Sequence, residues 1–463
     1  MPALTVEDVV RGTQGALVGG DLGVPVNGVS IDSRTLGIGD AFFAIHGHHL
    51  DGHAFLRDAA ARGASCLIVH DLPDELPPSV SAVLVDDTTR ALGRLAAYHR
   101  ARFTVPVVAI TGSNGKTTTK EMTAAILETL GPVLKPESNF NNQWGLPLTL
   151  LKLGPEHRAV VVELGANTPG EIAALAEISR PTVGVVTMVA SAHTEFFGSL
   201  DGVAAEKSAL VRAIPREGAV VLNADDAKVI AMRALSRARV LTFSRQPGAD
   251  VSAAGPAEET PEGVRVTLET GGGRRTVTLR FAGRHNIVNA LAAAGAAAAL
   301  GLPLEAIARG LAAARPVKGR CVWKRAGSVR ILDDTYNANP VSVRAALETL
   351  AAAADARRRI VVLGDMLELG AISEEAHREA GRAVAASGAA EFVGVGRWAL
   401  AAVEAARAAG LSESHHAATF EDTVALLLKR LAPGDALLVK GSRGMRMERV
   451  VDALLARFGG EDD

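Results

Sequence analysis

Residues 105–120 read VPVVAITGSNGKTTTK, an apolar run of strand length, a glycine-bearing turn and a helix-compatible stretch in immediate succession. That succession is what a phosphate-binding loop requires. Gly112 and Gly115 let backbone N–H groups turn toward phosphate oxygens, and the helix start adds its dipole. Lys116 can reach the terminal phosphates, and the Thr117 hydroxyl can ligate Mg²⁺. Ser113, Asn114 and Thr118 complete the candidate cradle. Ile110 stands where the general GxxxxGK[ST] form has its first glycine, so this is the shorter TGxNGKT variant. ATP is the ligand such a loop implies.

On either side the strand-then-helix rhythm continues. AVVVELG (159–165), TVGVVTMV (182–189), GAVVLNAD (218–225) and ARVLTFS (238–244) are short apolar runs separated by helical stretches. Strands buried on both faces read this way, so a doubly wound domain with a mainly parallel sheet is predicted over 104–316. GVRVTLETGGGRRTVTLRF (263–281) alternates with period two around a Gly-rich turn and predicts a hairpin closing that domain's edge. After RPVKGR (315–320), a linker, a second α/β run begins: VRILDDT, RIVVLGDM, EFVGVG and DALLVKGS, separated by Ala-rich helices. This predicts a third, Rossmann-like domain over 317–463. Residues 1–103, with short strands, Gly/Asp turns and a helix from Thr89 to Arg102, predict a small α/β lobe.

Composition agrees with three such bodies. A chain of 463 residues exceeds one ordinary core, at roughly 150 residues per domain. With 48% hydrophobic and 22% charged residues it is globular, and a net charge of −2 without a basic block argues against nucleic-acid and anionic-membrane partners. The two cysteines, Cys66 and Cys321, sit in apolar stretches and read as buried thiols in a reducing compartment. The N-terminal stretch lacks the pattern of a secretory signal, and the Ala-rich run Leu291–Leu300 is too short to span a bilayer. A cytoplasmic monomer acting on small molecules, without membrane insertion, is the expectation.

A phosphate loop alone does not separate a ligase from a kinase or a motor. Glu163 and His193 follow strand ends, where parallel sheets deliver side chains to the ligand crevice, and are candidate metal ligands. Asn286 and Asn289 lie at i and i+3 and can face the nucleotide together, or Asn286 can simply cap its helix. Asp333, Asp334, Tyr336, Asn337 and Asn339 form a polar loop after a buried strand, a place where binding residues concentrate. Asn139, Asn141 and Asn142 form a second candidate loop, with an Asn-rich turn as the plainer reading.

TGSNGKTTTKEM, NFNNQWGLPLTL, ELGANTPGEI, AHTEFFGSLDGVAAEKSAL, HNIVNALAA, DDTYNANP, LGDMLELG and KGSRGMRME, in that order, resemble the Mur ligases over nearly the whole chain. DDTYNANP and KGSRGMRME are similar to the branch that adds D-alanyl-D-alanine to UDP-N-acetylmuramoyl-tripeptide, in peptidoglycan precursor synthesis. DSRTLGIGDAFFAIHGHHLDGHAF (32–55) resembles a UDP-binding lobe. The resemblance implies domains that bind the UDP-sugar peptide (1–103), ATP (104–316) and the dipeptide (317–463).

It further implies that Ser33, Arg34, His46 and Gly47 hold the UDP moiety, and that Asn139, Asn141 and Asn142 touch the muramoyl peptide. Arg320 would reach the γ-phosphate, Asp334 and Tyr336 the nucleotide, and Asn337, Asn339, Ser442 and Arg443 the dipeptide. Lys207 falls where the family carries a carbamylated lysine, so Thr117, Glu163, His193 and Lys207 would hold two Mg²⁺ ions. Without the resemblance Lys207 reads as an exposed helix lysine. Met188, Thr194, Glu206 and Ser208 depart from the usual family pattern around it. The rival readings are a related ligase with another acceptor amine, and a nucleotide-dependent switch or ATPase.

Overall fold

The computed structural model describes residues 4–47, 50–72, 80–137, 140–190, 194–260 and 262–460. Its α/β architecture rests on three principal sheets, one for each stretch of alternating pattern. The first has five strands in the order Ala16–Gly19, Ser81–Leu84, Cys66–Val69, Ala41–Phe43 and Val29–Ser30, all parallel except the first. The helix predicted from Thr89 runs Thr88–Arg100, with the Asp87 side chain capping its start.

That helix belongs to two bodies at once. Its Ala91, Leu92, Leu95 and Ala96 share one core with Leu146, Leu150 and Leu175 of the segment that follows. Thr89 accepts a hydrogen bond from the Trp144 indole (3.0 Å), and the His99 ring lies 2.9 Å from the Leu153 carbonyl. The N-terminal lobe is therefore built onto the central sheet.

In the central sheet, strands Val107–Thr111 (β1), Ala159–Glu163 (β2), Val183–Val186 (β3), Ala219–Asn223 (β4) and Arg239–Ser244 (β5) run parallel in the order β5-β4-β3-β1-β2. Alternate residues of these strands serve two cores. Val107, Ala109, Val160 and Val162 pack on one face with helices Glu171–Ser179 (α2) and Leu200–Ala213 (α3). Val108, Ile110 and Val161 pack on the other with helices Lys116–Leu127 (α1) and His285–Ala299 (α4). Period-two alternation with apolar residues on both faces is why each strand reads as an unbroken hydrophobic run.

Because β2 and β3 flank β1 on opposite sides, the chain changes direction beside β1. The crevice at its carboxyl end is a topological switch point, where ligands bind in such sheets. The predicted hairpin forms from Gly263–Thr270 and Gly273–Leu279, paired antiparallel in full register. The Ala-rich run lies in α4, which is buried along nearly its whole length.

The third sheet follows the order Val322–Ala326, Val329–Asp334 (β6), Ala436–Lys440 (β7), Arg359–Gly364, Glu391–Val395 and Ser414–Ala417. Its first strand is an antiparallel edge, an addition to the parallel pattern read from sequence. Both cysteines are buried and unpaired. Among the described residues no helix is long and apolar enough to cross a membrane.

Candidate active site

The phosphate loop joins β1 to α1. Gly115 caps the helix at φ +84°, and Gly112 sits at φ +151°. A β-carbon at Gly115 would lie 2.2 Å from Asn289 Oδ1, and one at Gly112 1.9 Å from Thr187 Oγ1. Neither position accepts a side chain. The segment after β3 straps the loop down: Ser113 N–H donates to the Met188 carbonyl (2.8 Å), Ser113 Oγ accepts from Ala190 N–H (2.9 Å), and the Thr187 hydroxyl donates to the Asn114 carbonyl (2.6 Å). Lys116 Nζ folds back onto the Gly112 carbonyl (2.8 Å), and burial holds its ammonium below the usual lysine range. Thr118 is half-buried in the first turn of α1.

Glu163 ends β2 and is only 3% exposed. Its Oε2 accepts the Thr117 hydroxyl at 2.9 Å and its Oε1 accepts the Asn141 side-chain amide at 2.8 Å. Two hard oxygens 2.9 Å apart match adjacent corners of an octahedron whose metal–oxygen bonds are about 2.1 Å, so this pair fits Mg²⁺. Asn142 serves its own turn, its side-chain oxygen accepting from the N–H groups of Trp144 and Gly145. Asn139 and His193 lie outside the described residues.

Lys207, on α3, is 5% exposed, which overturns the plain reading of a surface lysine. Burial first, and the charge of Lys116 second, push its ammonium down to about 7, with Glu206 opposing. Glu206, met in sequence only as a departure from the family pattern, has a clear task. Its buried carboxylate accepts the N–H groups of Gly170 and Ile172, both at 2.7 Å, at the start of α2.

The two asparagines of α4 bind each other. Asn289 Nδ2 donates to Asn286 Oδ1 (2.9 Å), and Asn286 Nδ2 donates to the Ala282 carbonyl (2.8 Å). Asn289 Oδ1 accepts weakly from Thr119 on α1 (3.4 Å). The capping alternative for Asn286 fails, since the helix begins at His285 and its N-cap position is Arg284.

The third domain supplies the opposite wall. Arg320 donates from Nη2 to Thr117 Oγ1 (3.2 Å), and its guanidinium lies 3.7 Å from the centroid of the Tyr336 ring. Arg443 lies 5.7 Å from the same ring and pairs with Glu448. Lys440, 1% exposed at the end of β7, donates to Asp334 Oδ2 (2.5 Å) and to the Asn337 carbonyl (2.8 Å), fixing the first half of the polar loop after β6. This anchor was missed in sequence, although its place at the end of a parallel strand was a usable signal. Asp333 is buried 3.5 Å from Lys324, and its Oδ1 accepts the Thr335 hydroxyl. Ser442 Oγ accepts from Leu367 N–H. Asn339 opens helix Pro340–Ala351 (α5) and meets Asn114 across the cleft.

The N-terminal candidates form a separate group. Ser33 is buried, whereas Arg34 is exposed and bound to Asp32. His46 is exposed 3.3 Å from Asp51, and Gly47 N–H donates to the Leu50 carbonyl. Among the described residues none of them contacts the phosphate loop.

A phosphate loop that opens onto a hydroxyl–carboxylate pair, met by an arginine from a second α/β domain, defines a three-domain nucleotide-dependent enzyme that works in the cleft between domains. Family models agree piece by piece: "Mur ligase family, catalytic domain" matches 25–100, "Mur ligase middle domain" 110–297, and "Mur ligase, glutamate ligase domain" 319–443. The UDP-N-acetylmuramoyl-tripeptide–D-alanyl-D-alanine ligase of Escherichia coli is 40% identical over 462 residues, covering 98% of this chain and 99% of that protein. The chain belongs to the Mur ligase family. Among solved structures it is similar to MurF from Acinetobacter baumannii (TM-score 0.91, 34% identity, 98% and 99% of the two chains). It is also similar to the MurF ligase from Thermotoga maritima in complex with ADP (TM-score 0.81, 27% identity, 93% and 97%).

Proposed function

We propose that this chain joins D-alanyl-D-alanine to UDP-N-acetylmuramoyl-tripeptide with cleavage of ATP through an acyl phosphate, giving the pentapeptide, ADP and phosphate. The observation that carries the reading is the convergence of Lys116, the Thr117–Glu163 pair and Arg320 on one phosphate loop, with the acceptor loop 333–340 alongside. Similarity to the E. coli ligase over 98% of the chain supports the choice of dipeptide as acceptor.

A peptide carboxylate is a poor electrophile and must be activated. Its oxygen forms a bond to the γ-phosphorus while the bond to the β–γ bridging oxygen breaks, releasing ADP. The amine of the dipeptide then attacks the acyl carbon, phosphate leaves with the electron pair, and the amine loses a proton. Lys116 and Arg320 neutralise charge on the phosphoryl group in transit, which is a matter of position and electrostatics. Thr117 and Glu163 would hold one Mg²⁺, and Glu163, His193 and a carbamate on Lys207 a second; these ions supply further charge neutralisation.

In this reading residues 1–103 bind the UDP-sugar peptide through Ser33, Arg34, His46 and Gly47, with Asn139, Asn141 and Asn142 toward the muramoyl peptide. Residues 104–316 bind ATP through 112–118, Asn286 and Asn289. Residues 317–463 bring Asp334 and Tyr336 to the nucleotide and Asn337, Asn339, Ser442 and Arg443 to the dipeptide, turning about a hinge near Pro316. The enzyme works as a cytoplasmic monomer. Closure keeps water from the acyl phosphate.

The test is phosphate release and product mass with ATP, Mg²⁺ and the UDP-tripeptide, in the presence of D-Ala-D-Ala, L-Ala or neither. A mass gain of one dipeptide, with coupled phosphate only in the first tube, supports the reading. Equal release in all three with no new product refutes it in favour of a nucleotide-driven switch.

A further inference from the structure

Asn114 lies between the two glycines of the phosphate loop, where the backbone N–H groups do the cradling and the side chain has no assigned work. In the structure that side chain crosses to the third domain. Asn114 Nδ2 donates to Asn339 Oδ1 (3.2 Å), and Asn339 Nδ2 donates to Asn114 Oδ1 (2.7 Å), a reciprocal amide pair between residues 225 apart in sequence.

The orientation of both amides is fixed. Asn339 Oδ1 also accepts Ser342 N–H (2.9 Å) as the cap of α5, so its oxygen must face the helix and its nitrogen is left for Asn114. On the other side the Asn114 carbonyl holds the Thr187 hydroxyl, which ties it to the turn that positions Gly112 and Ser113. Other contacts bring the same domains together as well. Arg320, stacked on Tyr336, reaches Thr117, and Gly370 is so close to Glu195 that a β-carbon on it would lie 3.2 Å from the Glu195 Cα. Among the described residues only the asparagine pair links the inner turn of the phosphate loop to the cap of the helix that follows the acceptor loop.

We infer that Asn114 and Asn339 are positioning residues which couple the two substrates: the turn that holds ATP phosphates is the turn that seats the acceptor loop. A ligand that fixes the phosphate loop favours the seated loop, and by linkage the acceptor strengthens nucleotide binding by the same factor. Two hydrogen bonds between neutral amides, at about 1 kcal/mol each, set that factor at about tenfold to thirtyfold. The inference rests on the dipeptide-ligase reading.

The experiment measures the dissociation constant of a non-hydrolysable ATP analogue by calorimetry, with the UDP-tripeptide present and with or without D-Ala-D-Ala. It compares the wild type, Asn114→Ala, Asn339→Asp and the double variant. Asn339→Asp keeps a good helix cap, removes the donor to Asn114 and sets a negative charge beside it. The expected result is a tightening by the dipeptide of about tenfold to thirtyfold in the wild type that falls to about one in Asn114→Ala. Asn339→Asp should fall between them, with the double variant no worse than Asn114→Ala. A coupling factor that survives in Asn114→Ala, a wild type with no coupling, or single effects that multiply in the double variant would overturn the inference. Product formation by the wild type, followed in parallel, reports on the ligase reading alone.

Discussion

Replacing Glu206 by alanine should destabilise the central domain. Helix α2 starts at Gly170, which has no side chain with which to cap it, and its free N–H groups are served instead by a carboxylate from α3. Hydrogen bonds to a charged group contribute about 1.5–3 kcal/mol each. A carboxylate at a helix N-terminus adds about 0.3–1 kcal/mol through the dipole. Both donors sit at 2.7 Å and the acid is 8% exposed, so solvent screening is weak and water cannot fully replace the lost acceptor. These contributions sum to about 3–7 kcal/mol, and because Gly170 is exposed water can partly serve its N–H, so a loss of about 3–5 kcal/mol is expected for Glu206→Ala. Glu206→Gln, which keeps one acceptor oxygen but turns an N–H₂ toward the second donor, should lose about half as much. Urea unfolding followed by circular dichroism, with the transition midpoint compared at constant slope, reads the difference. Losses below about 1 kcal/mol for Glu206→Ala would show that the two short contacts do not carry α2 and would refute the reasoning.

Gly115→Ala should raise the dissociation constant for ATP analogues more than about tenfold, because φ +84° is left-handed and the new methyl would meet Asn289 Oδ1; unchanged affinity by titration contradicts this. Asp51, whose carboxyl the His53 backbone N–H holds down at about 2, is lower in the folded than in the unfolded chain, where about 4 is usual. Its contribution is thus present above about pH 4 and lost as pH falls toward 2. It is modest because the group is partly exposed, and Asp51→Asn should flatten the acid limb of the stability–pH curve; an unaltered limb counts against it. Labelled bicarbonate should give a carbamate carbon resonance in the wild type that grows from pH 7 to 8 and is absent in Lys207→Arg, since the Lys207 amine becomes neutral above about 7. A wild-type spectrum without that signal excludes the modification.

Strands β1 to β4 were legible because each is buried on both faces, so local hydrophobicity alone identifies them. The phosphate loop was legible because its chemistry is local: two glycines, a lysine and a threonine within six residues. What stayed hidden was carried by contacts between distant segments. Asn141 read as a substrate-loop residue, and only the fold of the 140s loop onto the end of β2 brings it to Glu163. Glu206 read as a deviation because its partners lie 36 and 34 residues away. Lys440 and Asn339 act through the neighbouring strand and the opposing domain, pairings that no periodicity announces. Burial of Lys207 was invisible for a related reason: one lysine on an amphipathic-looking helix carries no mark of what packs over it.

In the proposed mechanism the peptide carboxylate is activated on this phosphate loop and passed to a dipeptide amine. The most direct measurement labels that carboxylate of the UDP-tripeptide with ¹⁸O and follows turnover with ATP, Mg²⁺ and D-Ala-D-Ala by mass spectrometry. One ¹⁸O is expected in each phosphate released, together with a pentapeptide product that has lost one label. Phosphate free of label, or release without a dipeptide added, would contradict it, because the γ-phosphate would then have gone to water.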